Sequence, residues 1–198
     1  MEDEMMPSQS PLPVNVTRRR VCQLGLATFF MGMAPRISQA GTKRSDEPER
    51  FLDIYNTHTD ERLKVVYWAN GTYISKAFVQ VNQILRDHRT NEVTTIAPEL
   101  IDFLYLIGKA VEARYPFHIV SGYRSPATNA MLRGQSKQVA KYSRHIKGQA
   151  VDFYLPRRDL AVVRRAAVAA KRGGVGYYPQ SNFIHVDTGR VRTWERSS

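Results

Sequence analysis

The chain has 198 residues, 42% hydrophobic and 24% charged, a balance that fits one ordinary domain plus an appendage and excludes a wholly disordered chain, a collagen-like repeat and a multi-span membrane protein. A single cysteine rules out an intramolecular disulfide and a cysteine-cluster metal site, so any metal must be held by His and carboxylate ligands. Lys and Arg outnumber Asp and Glu by 29 to 18, a net charge of +11, which favours a polyanionic partner without choosing among nucleic acid, anionic lipid and an acidic polymer.

Residues 1–40 read as an export signal. A polar start leads to Thr17-Arg18-Arg19-Arg20, then to an uncharged apolar run over 21–34. That run is too short to cross a bilayer as a mature helix, which takes about 20 residues, but it suits the core of a cleavable signal. Ser38 and Ala40 put small side chains at the minus-three and minus-one positions for cleavage after Ala40. Arginines directly before a modest apolar core resemble a twin-arginine signal; a basic start for the general secretion route is the alternative. The expectation is a periplasmic protein of a Gram-negative bacterium, with no stable membrane insertion once the signal is removed. Residues 1–40 hold four of the basic and three of the acidic residues, so the positive excess belongs to the rest.

Residues 41–50 are polar and charged and read as a linker to a domain over 51–198. Two β-prone runs, 51–55 and 63–67, predict a hairpin, and Asn70-Gly71 marks the next turn. Ser75 is placed to cap a helix running to about His88, with Phe78, Val81, Ile84 and Leu85 on one face. Pro98 opens a second helix over 98–114, whose broad apolar side makes it the central buried helix. A short strand over 117–120, a brief helix over 127–133 and a strand over 149–155 follow. The Ala- and Arg-rich stretch 158–172 predicts a helix stopped by Gly173-Gly174. Two strands, 175–178 and 183–186, are joined by Pro179-Gln180-Ser181-Asn182. This mixed order predicts an α+β fold: one small domain, a central antiparallel sheet with flanking helices.

Of the five histidines, His58, His88 and His118 read as ordinary turn, helix-end and strand residues. His145 lies in a Gly-containing loop, seven residues before Asp152, which sits in an otherwise apolar strand. A carboxylate there needs a partner, because an unpaired buried charge is costly. Arg124 or Arg144 is one candidate partner; a metal shared with His145 is another. His185, in Phe183-Ile-His185-Val-Asp187, repeats the pattern of a polar side chain inside an apolar strand. Two histidines and a carboxylate leave one position of tetrahedral zinc open, as catalytic sites do.

Three motifs in order, Ser121-Gly-Tyr-Arg124-Ser125, then Ser143-x-His145-x-x-Gly148-x-Ala150-x-Asp152, then His185-Val-Asp187, resemble those of the M15-type zinc peptidases, which cleave peptidoglycan peptides containing D-amino acids. The resemblance covers essentially all of 41–198 and is greatest to the small exported murein endopeptidases of that family. It implies that His145, Asp152 and His185 are zinc ligands and that Arg124 faces the substrate carbonyl or carboxylate, where a guanidinium stays charged and reaches two oxygens. Ser143 matches a motif serine beside the metal and is assigned to substrate binding. Several M15 enzymes carry a catalytic Glu three residues before the last ligand. Here that position is Asn182, which takes no proton from water. Asp187 is the nearest carboxylate, either as a catalytic group or as a partner that holds His185.

The resemblance therefore implies a zinc-dependent endopeptidase acting on cross-links between peptidoglycan stem peptides, between diaminopimelate residues and also between D-alanine and diaminopimelate. A D,D-carboxypeptidase and a non-catalytic peptidoglycan-binding protein are the alternatives. No nucleic-acid partner is expected: the basic residues between Arg157 and Arg172 read as a solvated helix face.

Overall fold

The computed structural model of the chain describes residues 48–136 and 139–196. The segment read as an export signal and most of the linker, 1–47, lie outside them. The expected hairpin forms from β1 (Arg50–Asn56) and β2 (Arg62–Ala69), with Leu52 opposite Val65 and Ile54 opposite Leu63. Alternation along β1 buries Leu52 and Ile54 and leaves Phe51 exposed, as side chains on successive strand residues must face opposite ways. Asn70 (φ 52°) and Gly71 (φ 80°) both adopt the left-handed region. A two-residue type I′ turn requires that, and it returns the chain into β3 (Thr72–Tyr73).

Helix α1 (Ser75–Ile84) starts one residue earlier than expected: Ile74 is the N-cap, no side chain caps it, and Ser75 is already helical. The helix also stops short of His88, because the chain turns over 87–92, with the Asn91 amide donating to the Asp87 carbonyl and the Asp87 amide to that of Glu92. Helix α2 (Pro98–Ala110) has Pro in its first turn, where the missing N–H costs nothing, and buries Leu100, Ile101, Phe103, Leu104 and Ile107. It is the central buried helix, packed against β1 and against α4 (Leu160–Ala170). Asp159 caps α4 by accepting from the Ala161 and Val162 amides.

β4 (Phe117–Ser121), β5 (Ala150–Tyr154), β6 (Gly174–Tyr178), β7 (Phe183–Asp187) and β8 (Arg192–Glu195) complete an eight-stranded sheet of order β3-β2-β1-β4-β5-β7-β6-β8. The expected antiparallel sheet is in fact mixed. β4 runs parallel to β1 because α1 and α2 carry the chain across before it re-enters the sheet. β8 runs parallel to β6 because the chain reverses after β7 and docks on the other edge of β6. With α3 (Pro126–Gln135), four α-helices accompany the sheet among the described residues, an α+β arrangement. Val151 and Phe153 of β5 and Ile184 and Val186 of β7 belong to the buried core, on which α4 packs. The residues that alternate with them, Asp152 and His185, face the other way and stand directly opposite each other in register.

Candidate metal centre

The sheet register supplies two of three converging side chains. The third, His145, comes from a 3-10 turn, Arg144–Lys147. Ser143 caps that turn, its hydroxyl accepting from the His145 amide at 3.3 Å. His145 Nε2 lies 3.2 Å from His185 Nδ1 and 3.3 Å from Asp152 Oδ1, and His185 Nδ1 lies 2.7 Å from the same oxygen. His145 and Asp152 are buried, and His185 is half-buried. Tetrahedral zinc with bonds of about 2.0–2.1 Å places its donors about 3.3–3.4 Å apart. Two of the three separations are within 0.1–0.2 Å of that edge, and the donor set of two imidazoles and a carboxylate is one zinc accepts.

Each histidine has its second nitrogen tied down, which fixes what the first one offers. His145 Nδ1 is 2.7 Å from the Gly122 carbonyl, which only accepts, so Nδ1 carries the proton and Nε2 presents a lone pair. His185 Nε2 is 3.1 Å from Asp187 Oδ2, again an acceptor, so Nδ1 faces the centre. Such outer partners hold metal-binding imidazoles in tautomer and orientation. Burial lowers the pKa of His145 and favours its neutral form. Burial also disfavours a charged His185, but its hydrogen bonds to Asp152 and Asp187 outweigh that and raise its pKa. A carboxylate pair that attracts a proton to this position attracts a metal cation in its place.

Asp152 divides its oxygens. Oδ1 faces the histidines, and Oδ2 accepts from Arg124, whose Nε donates to the Ser121 hydroxyl at 2.8 Å. Burial opposes ionisation of Asp152, yet His145 and Arg124 hold its carboxyl well below the usual range. The loop bearing Arg124 is itself clamped from outside the three motifs. Tyr123 donates its amide to the Leu85 carbonyl at 2.8 Å. A Cβ at Gly122 would lie 2.5 Å from that same carbonyl oxygen, so the close approach needs glycine. Asp87, 1% exposed, accepts from the Ser125 amide at 2.8 Å and the Arg89 amide at 2.9 Å.

The centre forms part of the lining of a cleft of about 400 Å³, together with Arg124, Ser143, Arg144, Asp187, Arg192 and Trp194, among others. Asp187 is fully buried. It accepts from both terminal nitrogens of Arg192 and from the Gly189 amide, pairs with Arg144 at 3.4 Å, and meets His185. Burial raises its pKa, but the His185, Arg192 and Gly189 bonds drive it well down. Trp194 packs against His185, ring centroids 5.3 Å apart, and its indole N–H donates to Tyr178 at 3.1 Å. A Cβ at Gly176 would lie 2.6 Å from the Trp194 ring, so the glycine is what lets the indole lie across β6. Asn182 sits exposed in the β6–β7 turn with φ 52° and is not part of the cleft lining.

The remaining histidines stay apart from this group. His58 and His88 stack on each other at 3.9 Å, and His118 meets the Tyr154 hydroxyl at 3.0 Å. All six site residues singled out in the sequence therefore border one cleft: Arg124, Ser143, His145, Asp152, His185 and Asp187. The sequence reading missed Asp87, Arg192 and Trp194. Asp87 carried one local signal, the Asp-x-Arg spacing of a turn that bonds its own backbone two residues on. Nothing in the sequence linked it to Ser125.

Residues 44–194 match the family model Peptidase_M15_2, described as peptidoglycan L,D-endopeptidase MepK. The peptidoglycan L,D-endopeptidase MepK of Escherichia coli (strain K12) is 39% identical over 180 residues, covering 91% of this chain and 98% of the relative. The probable peptidoglycan L,D-endopeptidase MepK of Haemophilus influenzae is 43% identical over 183 residues, covering 92% and 97%. No helix among the described residues is long and apolar enough to cross a membrane. A match over most of the chain, on a domain whose two histidines and aspartate form a group able to hold a metal, identifies this protein as a peptidase of the metal-dependent M15 class, a member of the Peptidase_M15_2 family.

Proposed function

We propose that the cleft is the active site of a zinc-dependent endopeptidase that hydrolyses peptide cross-links of peptidoglycan, with bonds between diaminopimelate residues as its substrates. The observation that carries this reading is the convergence of His145 Nε2, His185 Nδ1 and Asp152 Oδ1, the second nitrogen of each imidazole held by an acceptor, in the wall of an open cleft. The names of the relatives favour a bond between an L and a D centre, which a link between two diaminopimelates contains. When bound, zinc supplies Lewis acidity, polarising a carbonyl and making water acidic enough to serve as a nucleophile near neutral pH.

The chain's own groups do the rest. Arg124 holds the outer oxygen of Asp152 so that the inner one stays aimed at the histidines, and its charge stabilises negative charge developing on a scissile carbonyl. Asp187 acts through His185: with Arg192, Arg144 and Gly189 already on its oxygens, it serves as a positioning residue and is poorly placed to accept a proton from water. Ser143 holds the His145 turn and presents its hydroxyl at the cleft edge. The four arginines of the lining face a substrate rich in carboxylates. The segment 1–40 is the export signal that brings the enzyme to this substrate; an N-terminus at Gly41 in protein recovered from the periplasm tests that part.

The deciding experiment incubates purified protein with intact sacculi, with zinc or with a chelator, and identifies released muropeptides by mass spectrometry. Zinc-dependent conversion of cross-linked dimers to monomers is expected, and the stem composition names the bond. Loss of terminal D-alanine without dimer cleavage would make the protein a carboxypeptidase. A folded, zinc-loaded protein that releases nothing would be a wall-binding protein instead.

A further inference from the structure

Strand β8 places a fourth arginine on the cleft. Along β8 the odd and even residues part company: Arg192 and Trp194 line the cleft, while Thr193 lines a separate hollow against α4 and Glu195 pairs with Arg164 of that helix at 3.0 Å. Arg196 continues the alternation, because its amide donates to the Tyr177 carbonyl at 2.9 Å and so prolongs the pairing with β6 by one residue. Its side chain accordingly borders the cleft, on the same side as Arg192 and Trp194.

The four cleft arginines are not equivalent. Arg124 is bound to Asp152, Arg192 to Asp187 through two nitrogens, and Arg144 to Asp187 and Gln149. Their charges are largely answered by buried carboxylates within the chain, and their guanidinium groups are held in place. Arg196 is exposed, and among the described residues no carboxylate is paired with it. Among the described residues, the cleft lining contains no acid besides Asp152 and Asp187, both engaged elsewhere. A guanidinium at a cleft edge with no internal partner is suited to bind a carboxylate from outside, as a two-pronged donor.

We propose that Arg196 is a specificity-determining residue: it forms a carboxylate subsite that binds a free carboxylate of the stem peptide next to the bond being cut. The assignment rests on the peptidoglycan reading above for the identity of the peptide, and on β8 for the site. Trp194 and Tyr178, joined by the indole hydrogen bond, line the same cleft as His185 and Arg196 and give it an aromatic surface. Discrimination by one charge-assisted pair at a partly wet edge is about tenfold.

The test compares a cross-linked muropeptide dimer with the same dimer after chemical amidation of its carboxylates. Binding is measured by calorimetry on chelated protein, so that nothing is cut, and cleavage is measured separately with zinc restored. Wild-type protein is expected to prefer the free acid, and Arg196→Gln to lose about tenfold of that preference in affinity and in KM, with an unchanged melting temperature. Arg196→Lys, which keeps the charge but not the fork, is expected to recover part of it. Equal binding of the two dimers by wild type, or full retention of the preference in Arg196→Gln, would overturn the proposal. Preferential binding that Arg196→Gln abolishes, with neither dimer cut by wild type, would sustain the subsite while defeating the endopeptidase reading.

Discussion

Asp87→Asn tests whether the Arg124 loop depends on a carboxylate outside the three motifs of the site. The Asp87 side chain is buried at 1% exposure. Burial alone would raise its pKa, but bonds from the Thr128 side chain, the Ser125 and Arg89 amides and the Ser125 hydroxyl outweigh it and lower the value from 3.8 to about 2. At about 1.4 kcal/mol per pH unit, that difference is worth roughly 2 kcal/mol of stability at neutral pH. Because the folded pKa lies below the unfolded one, the contribution is complete above about pH 5 and is lost as pH falls through 3.8 toward 2. Asparagine keeps the shape but turns an NH₂ toward groups that are themselves donors. With a urea slope of about 2 kcal/mol per molar, the variant should unfold about 1 M earlier at pH 7. Urea titrations of chelated wild type and variant should show this gap narrowing to roughly half by pH 3. A gap under about 0.5 kcal/mol at pH 7, or one that does not change between pH 7 and pH 3, would refute the account of Asp87 as an ionised clamp.

Three further outcomes follow from neighbouring contacts. Asp187→Asn should weaken zinc binding by about 10- to 100-fold in competition with a chromophoric chelator, because His185 loses the carboxylate that orients it; wild-type affinity in the variant would remove Asp187 from the positioning role. Gly122→Ala should cost about 1–3 kcal/mol in urea unfolding, since the new methyl meets the Leu85 carbonyl, a backbone atom that cannot swing aside. Glu195→Gln removes an ion pair with Arg164 in which Glu195 is half exposed, so the change should be under about 1 kcal/mol; dimer cleavage should stay at the wild-type rate, because Glu195 faces α4 rather than the cleft.

Legibility of the fold followed the length of the periodic signal. β1, β2 and α2 carry enough alternating or helical residues to be read without help, and their cores are where the pattern puts them. β3 has two residues and β8 reads Arg-Thr-Trp-Glu, so neither shows an apolar alternation, and both escaped. The parallel pairings escaped for a different reason. Strand direction is set by where the chain re-enters the sheet, and the placement of β7 between β5 and β6 leaves no mark in local sequence. Ser75 was misplaced by one residue because a capping side chain and a first-turn serine look alike until the backbone turns.

The site was legible for a physical reason that the fold was not: a polar side chain in an apolar strand has to be satisfied by something, so its presence points to a partner even when the partner's position is unknown. Asp152 shows how far that reasoning carries and where it stops. The sequence offered two partners for it, an arginine or a metal shared with His145, as if one excluded the other. The structure pairs Oδ2 with Arg124 and turns Oδ1 toward His145 and His185, because a carboxylate has two oxygens and a buried one must answer for both. The same demand accounts for Asp187, with Arg192 and His185 on one oxygen and Arg144 near the other. Local sequence marks the acid that needs partners; the register of β5 against β7, the loop after β4, the turn that carries His145 and the return of β8 onto β6 decide which partners arrive, and through them which nitrogen each histidine turns toward the cleft.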